Sequence, residues 1–323
     1  MLETKNLSIG YGKKRIQSGL NLTAAKGKMI CLIGKNGTGK STLLRTLAGL
    51  QKPLDGTVTM QGRNIAKLSE AQRATLFSLV LTDNIVVENM TMHDLVAMGR
   101  FPYTNWAGRL SDNDEKTVTT ALAQVDLTHK AQAFAGEVSD GERQRGIIAK
   151  ALAQDTPLVL LDEPTAHLDL PNRIEIMLLL RRLSAETNKT FILSTHELDL
   201  AMQTADRLWL MRSDGVTTGI PEDMMLRGDI ERAFGSDNFH FDTDGHCSVK
   251  PPAYNRFVSI DGDTPAAAWL QRALARNGIG TDDNADTEIE INSEGFRLLG
   301  RNVRTIEETL DLLTAAQTQK NAR

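Results

Sequence analysis

The run Gly34-Lys35-Asn36-Gly37-Thr38-Gly39-Lys40-Ser41-Thr42 constrains this chain more than any other stretch. An apolar segment, Met29 to Ile33, precedes it, and a helix-forming segment, Leu43 to Ala48, follows. Strand, glycine-rich loop and helix are the context of a phosphate-binding loop. Glycines let consecutive backbone N–H groups turn inward around an anion with no side chain in the way. The helix adds its free N-terminal N–H groups and the positive end of its dipole. In such a loop Lys40 reaches β- and γ-phosphates and the Ser41 hydroxyl ligates Mg²⁺.

Bulk properties narrow the setting. The 323 residues suit one large domain with an addition, or two domains. At 41% hydrophobic and 24% charged residues, a sizeable core is available. A net charge of −4 argues against nucleic acid as the main partner. Two cysteines, Cys31 and Cys247, make no disulfide framework and suit a reducing compartment. No apolar run reaches membrane-spanning length, and Met1 to Lys5 lacks a signal peptide's apolar segment. A cytoplasmic chain, meeting any membrane through a partner, is expected.

Local patterns give an alternation of strands and helices. Leu2 to Ile9 reads as a strand, Gly10 to Lys14 as a turn and Ser18 to Leu22 as a second strand. Residues 85–153 read as largely helical, with Ser111 capping one helix and acids in its first turn. Pro157 to Leu161 is the fully apolar kind of strand that a parallel sheet buries on both faces. Helix Asn172 to Ser184, strand Thr190 to Ser194, helix Glu197 to Ala205 and strand Arg207 to Arg212 follow. Such alternation predicts α/β layering. After Pro251-Pro252 the character changes to a β-α-β-β-α unit of roughly 70 residues, near the lower size at which domains fold alone.

Asp162-Glu163 closes the apolar strand. There, one carboxylate can hold Mg²⁺ through its water shell, and its neighbour can orient or deprotonate an attacking water. Between this pair and the glycine loop lies Val138-Ser139-Asp140-Gly141-Glu142-Arg143-Gln144, opening a helix.

Together these motifs resemble the ATP-binding subunits of ABC transporters. Ser139 to Glu142 resembles the family signature, usually Leu-Ser-Gly-Gly-Gln. Ser139 keeps the hydroxyl and Gly141 the unobstructed N–H; Val138, Asp140 and Glu142 depart. Tyr11 falls where an aromatic ring stacks on adenine, Leu168-Asp169 resembles the D-loop, and His196 resembles the switch histidine at the γ-phosphate. Where the family has a glutamine touching Mg²⁺ and the attacking water, alignment back from Thr91-Met92 places Thr82. A bridging water or Asn84 could take over, or the contact is weak. Thr91 to Tyr103, with Gly108 to Ser111, resembles ATPases of ferric-siderophore, haem and vitamin B12 importers.

The resemblance covers about residues 1–235 and implies an ATPase domain over 1–248, with a helical subdomain at about 85–153. Its fold would be an α/β P-loop core of ABC type: a mixed sheet with helices and an antiparallel N-terminal β part. Residues 249–323 would add a small α+β domain, either regulatory or dimer-stabilising. ATP would lie between Gly34–Thr42 of one copy and Ser139–Gly141 of a second, paired head to tail. Lys40, Ser41 and Asp162 would hold phosphates and Mg²⁺, Glu163 would act on water, and Asp169 would link the sites. Separate transmembrane permease subunits, fed by a periplasmic or lipoprotein substrate-binding protein, would be driven from the cytoplasmic face of the inner membrane. The implied cargo is an iron complex or cobalamin. A soluble ABC ATPase of another kind, for instance in cluster assembly, is the alternative, as is an importer of another substrate.

Overall fold

The computed structural model describes residues 1–323 apart from 82–88, 105–107, 237, 242–246, 263, 294 and 322–323, and apart from the side chains of 240 and 317–321. Thr82 and Asn84, the expected stand-ins for the missing glutamine, lie outside the described residues. The chain forms two compact units, Met1–Gly235 with Phe241–His246, and Ser236–His240 with Cys247–Arg323. Among the described residues no helix is long and apolar enough to cross a membrane.

The first unit is built on two sheets. Leu2–Tyr11 pairs antiparallel with Lys14–Leu20 and with Asp55–Met60. The first strand thus runs through Tyr11, and only Gly12 and Lys13 turn the chain, with Gly12 at φ 56°. The second strand begins at Lys14 rather than Ser18: Lys14 and Arg15 are both exposed and the pairing is irregular beyond them, so no apolar alternation marks the start in sequence.

The second sheet has six strands, and Met29–Ile33, Thr190–Ser194 and Leu158–Asp162 lie side by side and parallel within it. Every residue of these three is buried, which is why the middle of each reads as apolar, with polar residues only at strand ends. Met29, Cys31 and Ile33 point into a core shared with helix Leu170–Thr187, while Ile30 and Leu32 face the other layer with Leu43, Leu44 and Leu47. Burial raises the Cys31 thiol pKa far above its usual value, as suits a core residue. Between strands Phe77–Val80 and Leu158–Asp162 come helices Met92–Ala97, Asp112–Gln124 and Asp140–Ala153. Mixed sheet, antiparallel N-terminal part and helical insertion agree with the expected fold.

In the second unit Arg256–Asp261 lies parallel to Ile279–Thr281 and to Glu288–Asn292, and the sheet continues antiparallel through Gly295–Leu298 and Arg301–Val303. Helices Pro265–Arg276 and Ile306–Asn321 complete it. Val258, Leu270, Leu274, Ile289, Phe296 and Leu313 form its core. Two strands are additions to the sequence reading. Each has three residues, too few to show an alternation. Leu299 turns the chain at φ 53° between the last two strands.

Candidate functional site

Three parallel strands end at the same crevice. Asp162 is in register with Ser194, and Leu32 is also paired with Ser194. Ligands in open α/β sheets bind outside such carboxyl ends. The loop after Ile33 needs its glycines: Gly34, Gly37 and Gly39 have φ of 153°, 80° and 103°. A Cβ on Gly34 would lie 2.3 Å from the Met211 carbonyl oxygen. A Cβ on Gly39 would lie 2.6 Å from Ile16 Cγ2.

Lys40 opens helix Lys40–Leu47 and is buried. Its Nζ donates to the Gly34 carbonyl at 2.8 Å and to that of Lys35 at 3.3 Å, so the ammonium lies folded over the loop. Burial lowers its pKa, opposed by the charges of Glu163 and Asp162. An arriving polyphosphate would relieve that desolvation with opposite charge. The Thr38 hydroxyl also donates to the Lys35 carbonyl, fixing the loop's curvature.

Ser41 Oγ donates to Asp162 Oδ1 at 3.0 Å, joining the loop to the acidic strand end. Both are hard oxygen donors. Mg²⁺ is bound through one or two such groups plus waters and phosphate oxygens. The donor chemistry therefore fits that ion. Glu163 departs from the strand at φ 51°, and its Oε1 meets His196 Nε2 at 2.7 Å. Glu163, His196 and Ile16 line one cavity with Asn36, Gly37 and Gly39 to Thr42. An adjoining groove carries Lys14, Arg15 and Lys35, a positive rim that attracts anions.

Tyr11 is 53% exposed and accepts a hydrogen bond from Thr42 Oγ1 at 3.3 Å, which places its phenol beside the helix that follows the loop, though it does not line the cavity itself. Ser139, Gly141 and Asp169 are not brought to this cavity. They form their own group. Ser139 caps helix Asp140–Ala153 in a reciprocal capping box with Glu142, whose pKa the Ser139 N–H lowers despite partial burial. Gly141 is packed against Asn172, and Asn172 Nδ2 donates to Asp169 Oδ1 at 2.7 Å. The chain therefore carries the glycine-loop cavity and, apart from it, a signature-like helix start joined to Asp169.

Two residues here were not anticipated from sequence. Ile16 lines the cavity at an irregularity in its strand, where pairing passes from Arg15 opposite Gly10 to Gln17 opposite Ile9. Ser194 lies behind it, buried beside Asp162 as the polar residue ending the run Thr190-Phe191-Ile192-Leu193, and that polarity was a readable signal.

Residues 17–166 match the family model described as ABC transporter, and residues 255–314 match the iron ABC transporter C-terminal domain. An uncharacterized ABC transporter ATP-binding protein of Methanocaldococcus jannaschii is 39% identical over 282 residues, covering 86% of this chain and 97% of that protein. The chain belongs to the ABC transporter ATP-binding family. The probable siderophore transport system ATP-binding protein YusV of Bacillus subtilis is 40% identical to this ABC ATPase over 234 residues, 72% of this chain and 85% of that one. Among solved structures, a dimeric ATP-binding cassette in a post-hydrolysis state with ADP and phosphate matches at TM-score 0.58 and 26% identity, covering 68% of this chain and 99% of that chain. This ABC ATPase binds and hydrolyses ATP, and its C-terminal unit, without a family from sequence reading, falls to the iron-transporter type.

Proposed function

We propose that this ATPase powers import of an iron complex, a siderophore chelate foremost, through separate membrane permease subunits. The convergence of Lys40, Ser41, Asp162, Glu163 and His196 on one crevice is the observation that carries the ATP chemistry. The C-terminal match and the siderophore-system relative support iron as cargo.

In this reading residues 1–248 do the ATP work and 249–323 are an accessory domain that stabilises the dimer. Backbone N–H groups of Gly34–Thr42 hold the phosphates, Lys40 swings from its carbonyls to them, and Tyr11 and Ile16 hold the base. Ser41 and Asp162 would hold Mg²⁺, which supplies charge neutralisation on the phosphates when bound. Glu163 orients the attacking water and takes its proton, while His196 meets the γ-phosphate. Separation of Ser139 and Gly141 from the cradle supports a site completed by a second copy, head to tail, with Asp169 linking the two. ATP-driven closure then shifts the permeases between states at the cytoplasmic face of the membrane, with a substrate-binding protein delivering the cargo outside.

The test is co-purification with its membrane partner, followed by ATPase measurement in the assembled complex. A ferric siderophore presented on its binding protein is expected to stimulate hydrolysis, and a corrinoid is not. Stimulation by the corrinoid alone would reassign the cargo. A soluble partner with no polytopic membrane protein would overturn the importer reading.

A further inference from the structure

Ser194 is the last residue of strand Thr190–Ser194 and is fully buried. Its hydroxyl donates to Asp162 Oδ1 at 2.6 Å and accepts from the Glu163 N–H at 2.9 Å. A serine hydroxyl has one proton and two lone pairs. The proton is committed to Asp162, and a lone pair is committed to Glu163.

Both commitments matter to the chemistry. The sheet ends at Asp162, and Glu163 turns to φ 51°, a region that residues other than glycine rarely adopt. There its N–H leaves the strand ladder, and Ser194 supplies the acceptor. The turn is also what sends the Glu163 side chain to His196. At Asp162 two hydroxyls, from Ser41 and Ser194, meet the same carboxylate oxygen. If Ser41 is given over to a metal, the Ser194 hydrogen bond still holds the Asp162 carboxylate in place.

We propose that Ser194 is a positioning residue for ATP hydrolysis, its single buried hydroxyl aligning the Asp162 carboxylate and the Glu163 backbone together. The proposal rests on the ATPase reading above. It goes beyond a serine satisfied at a strand end, because one hydroxyl serves the Asp162 carboxylate and the Glu163 backbone together. A purely structural serine would change stability and leave metal affinity and turnover alone.

The test uses the full-length protein with Ser194→Ala and Ser194→Cys, the latter keeping volume but offering only a weak donor. Hydrogen-bond partners of metal ligands are worth about 10- to 100-fold in metal affinity or activity. Accordingly, kcat is expected to fall about 10- to 100-fold with KM for ATP little changed. Mn²⁺ affinity of the ADP-bound protein, read by electron paramagnetic resonance, is expected to fall about 10-fold. ATP binding in EDTA should match the parent. Wild-type kcat and Mn²⁺ affinity in the folded alanine variant would overturn the proposal. If alanine prevents folding, the same two values in the cysteine variant decide. Absence of hydrolysis in the parent protein would instead sink the ATPase reading, and the Mn²⁺ measurement would still judge Ser194.

Discussion

His196 Nε2 lies 2.7 Å from Glu163 Oε1, although 33 residues separate them in the chain. Each ends a neighbouring parallel strand region, and the left-handed turn at Glu163 closes the gap. Glu163→Gln keeps a hydrogen-bonding group in that place but removes the carboxylate that can take a proton. Hydrolysis is expected to drop by roughly 10²–10⁴-fold, the usual worth of a general base. ATP binding should survive, and an ATP-bound dimer should accumulate on gel filtration. Undiminished turnover would remove Glu163 from the role of base.

The cradle and the acidic strand end were legible because each is contiguous: one loop of fixed spacing and one carboxylate pair after an apolar strand. Residues delivered by register were harder to see. Ser194 meets the strand-end acid because it pairs with Asp162, and Ile16 meets the cavity where the pairing of its strand skips a residue. The C-terminal unit hid two of its strands for a related reason. Ile279–Thr281 is held by Arg256–Val258 across an intervening helix, and Arg301–Val303 by the hairpin partner Phe296–Leu298; neither has a pattern of its own.

Lys40→Ala tests the cradle directly. The ammonium rests on the Gly34 and Lys35 carbonyls, already desolvated and poised for an anion. Preorganised charge of this kind is worth about 10²–10³ in turnover. A loss of that size in kcat/KM is expected while the thermal midpoint changes little. Full activity would overturn the assignment of the whole site.

Tyr11→Ala separates binding from chemistry. Base–aromatic stacking is worth about 1–3 kcal/mol, so ATP affinity should weaken about tenfold at unchanged kcat. Tyr11→Phe should bind like the parent, since the phenol only accepts a long bond from Thr42. Equal losses in both variants would make the hydroxyl, and not the ring, the relevant group.

Gly141 and Asn172 join the signature-like helix to Asp169. A Cβ on Gly141 would lie 2.1 Å from Asn172 Oδ1, so alanine must displace Asn172 and strain its bonds to Asp169. Gly141→Ala should cost about 1–3 kcal/mol of stability, the range for overpacking, and lower hydrolysis more than ATP binding. Asn172→Ala in that background removes the obstacle and should recover most of the thermal midpoint. No recovery would mean that the contact does not transmit the effect.

The buried pair Arg100–Asp114 gives the helical insertion its own acid response. Arg100 Nε donates to Asp114 Oδ1 at 2.8 Å and Nη1 to the Ala153 carbonyl at 2.8 Å, tying three helical segments together. The Ser111 hydroxyl and N–H, and then the Arg100 guanidinium, hold the Asp114 carboxyl down to about 2 from the usual 3.8. A depressed carboxyl stabilises the fold above its unfolded pKa, and that contribution drains away as pH falls through the folded value. Stability of the parent should therefore decline from about pH 4 toward pH 2 relative to Asp114→Asn, which has no proton to gain. At pH 7 Arg100→Ala leaves a buried carboxylate without its cation and should cost about 3 kcal/mol in urea unfolding. A difference between parent and Asp114→Asn that stays constant across that acid window would show that Asp114 titrates like a free carboxyl, and the pair would then be a weak tie in the helical insertion.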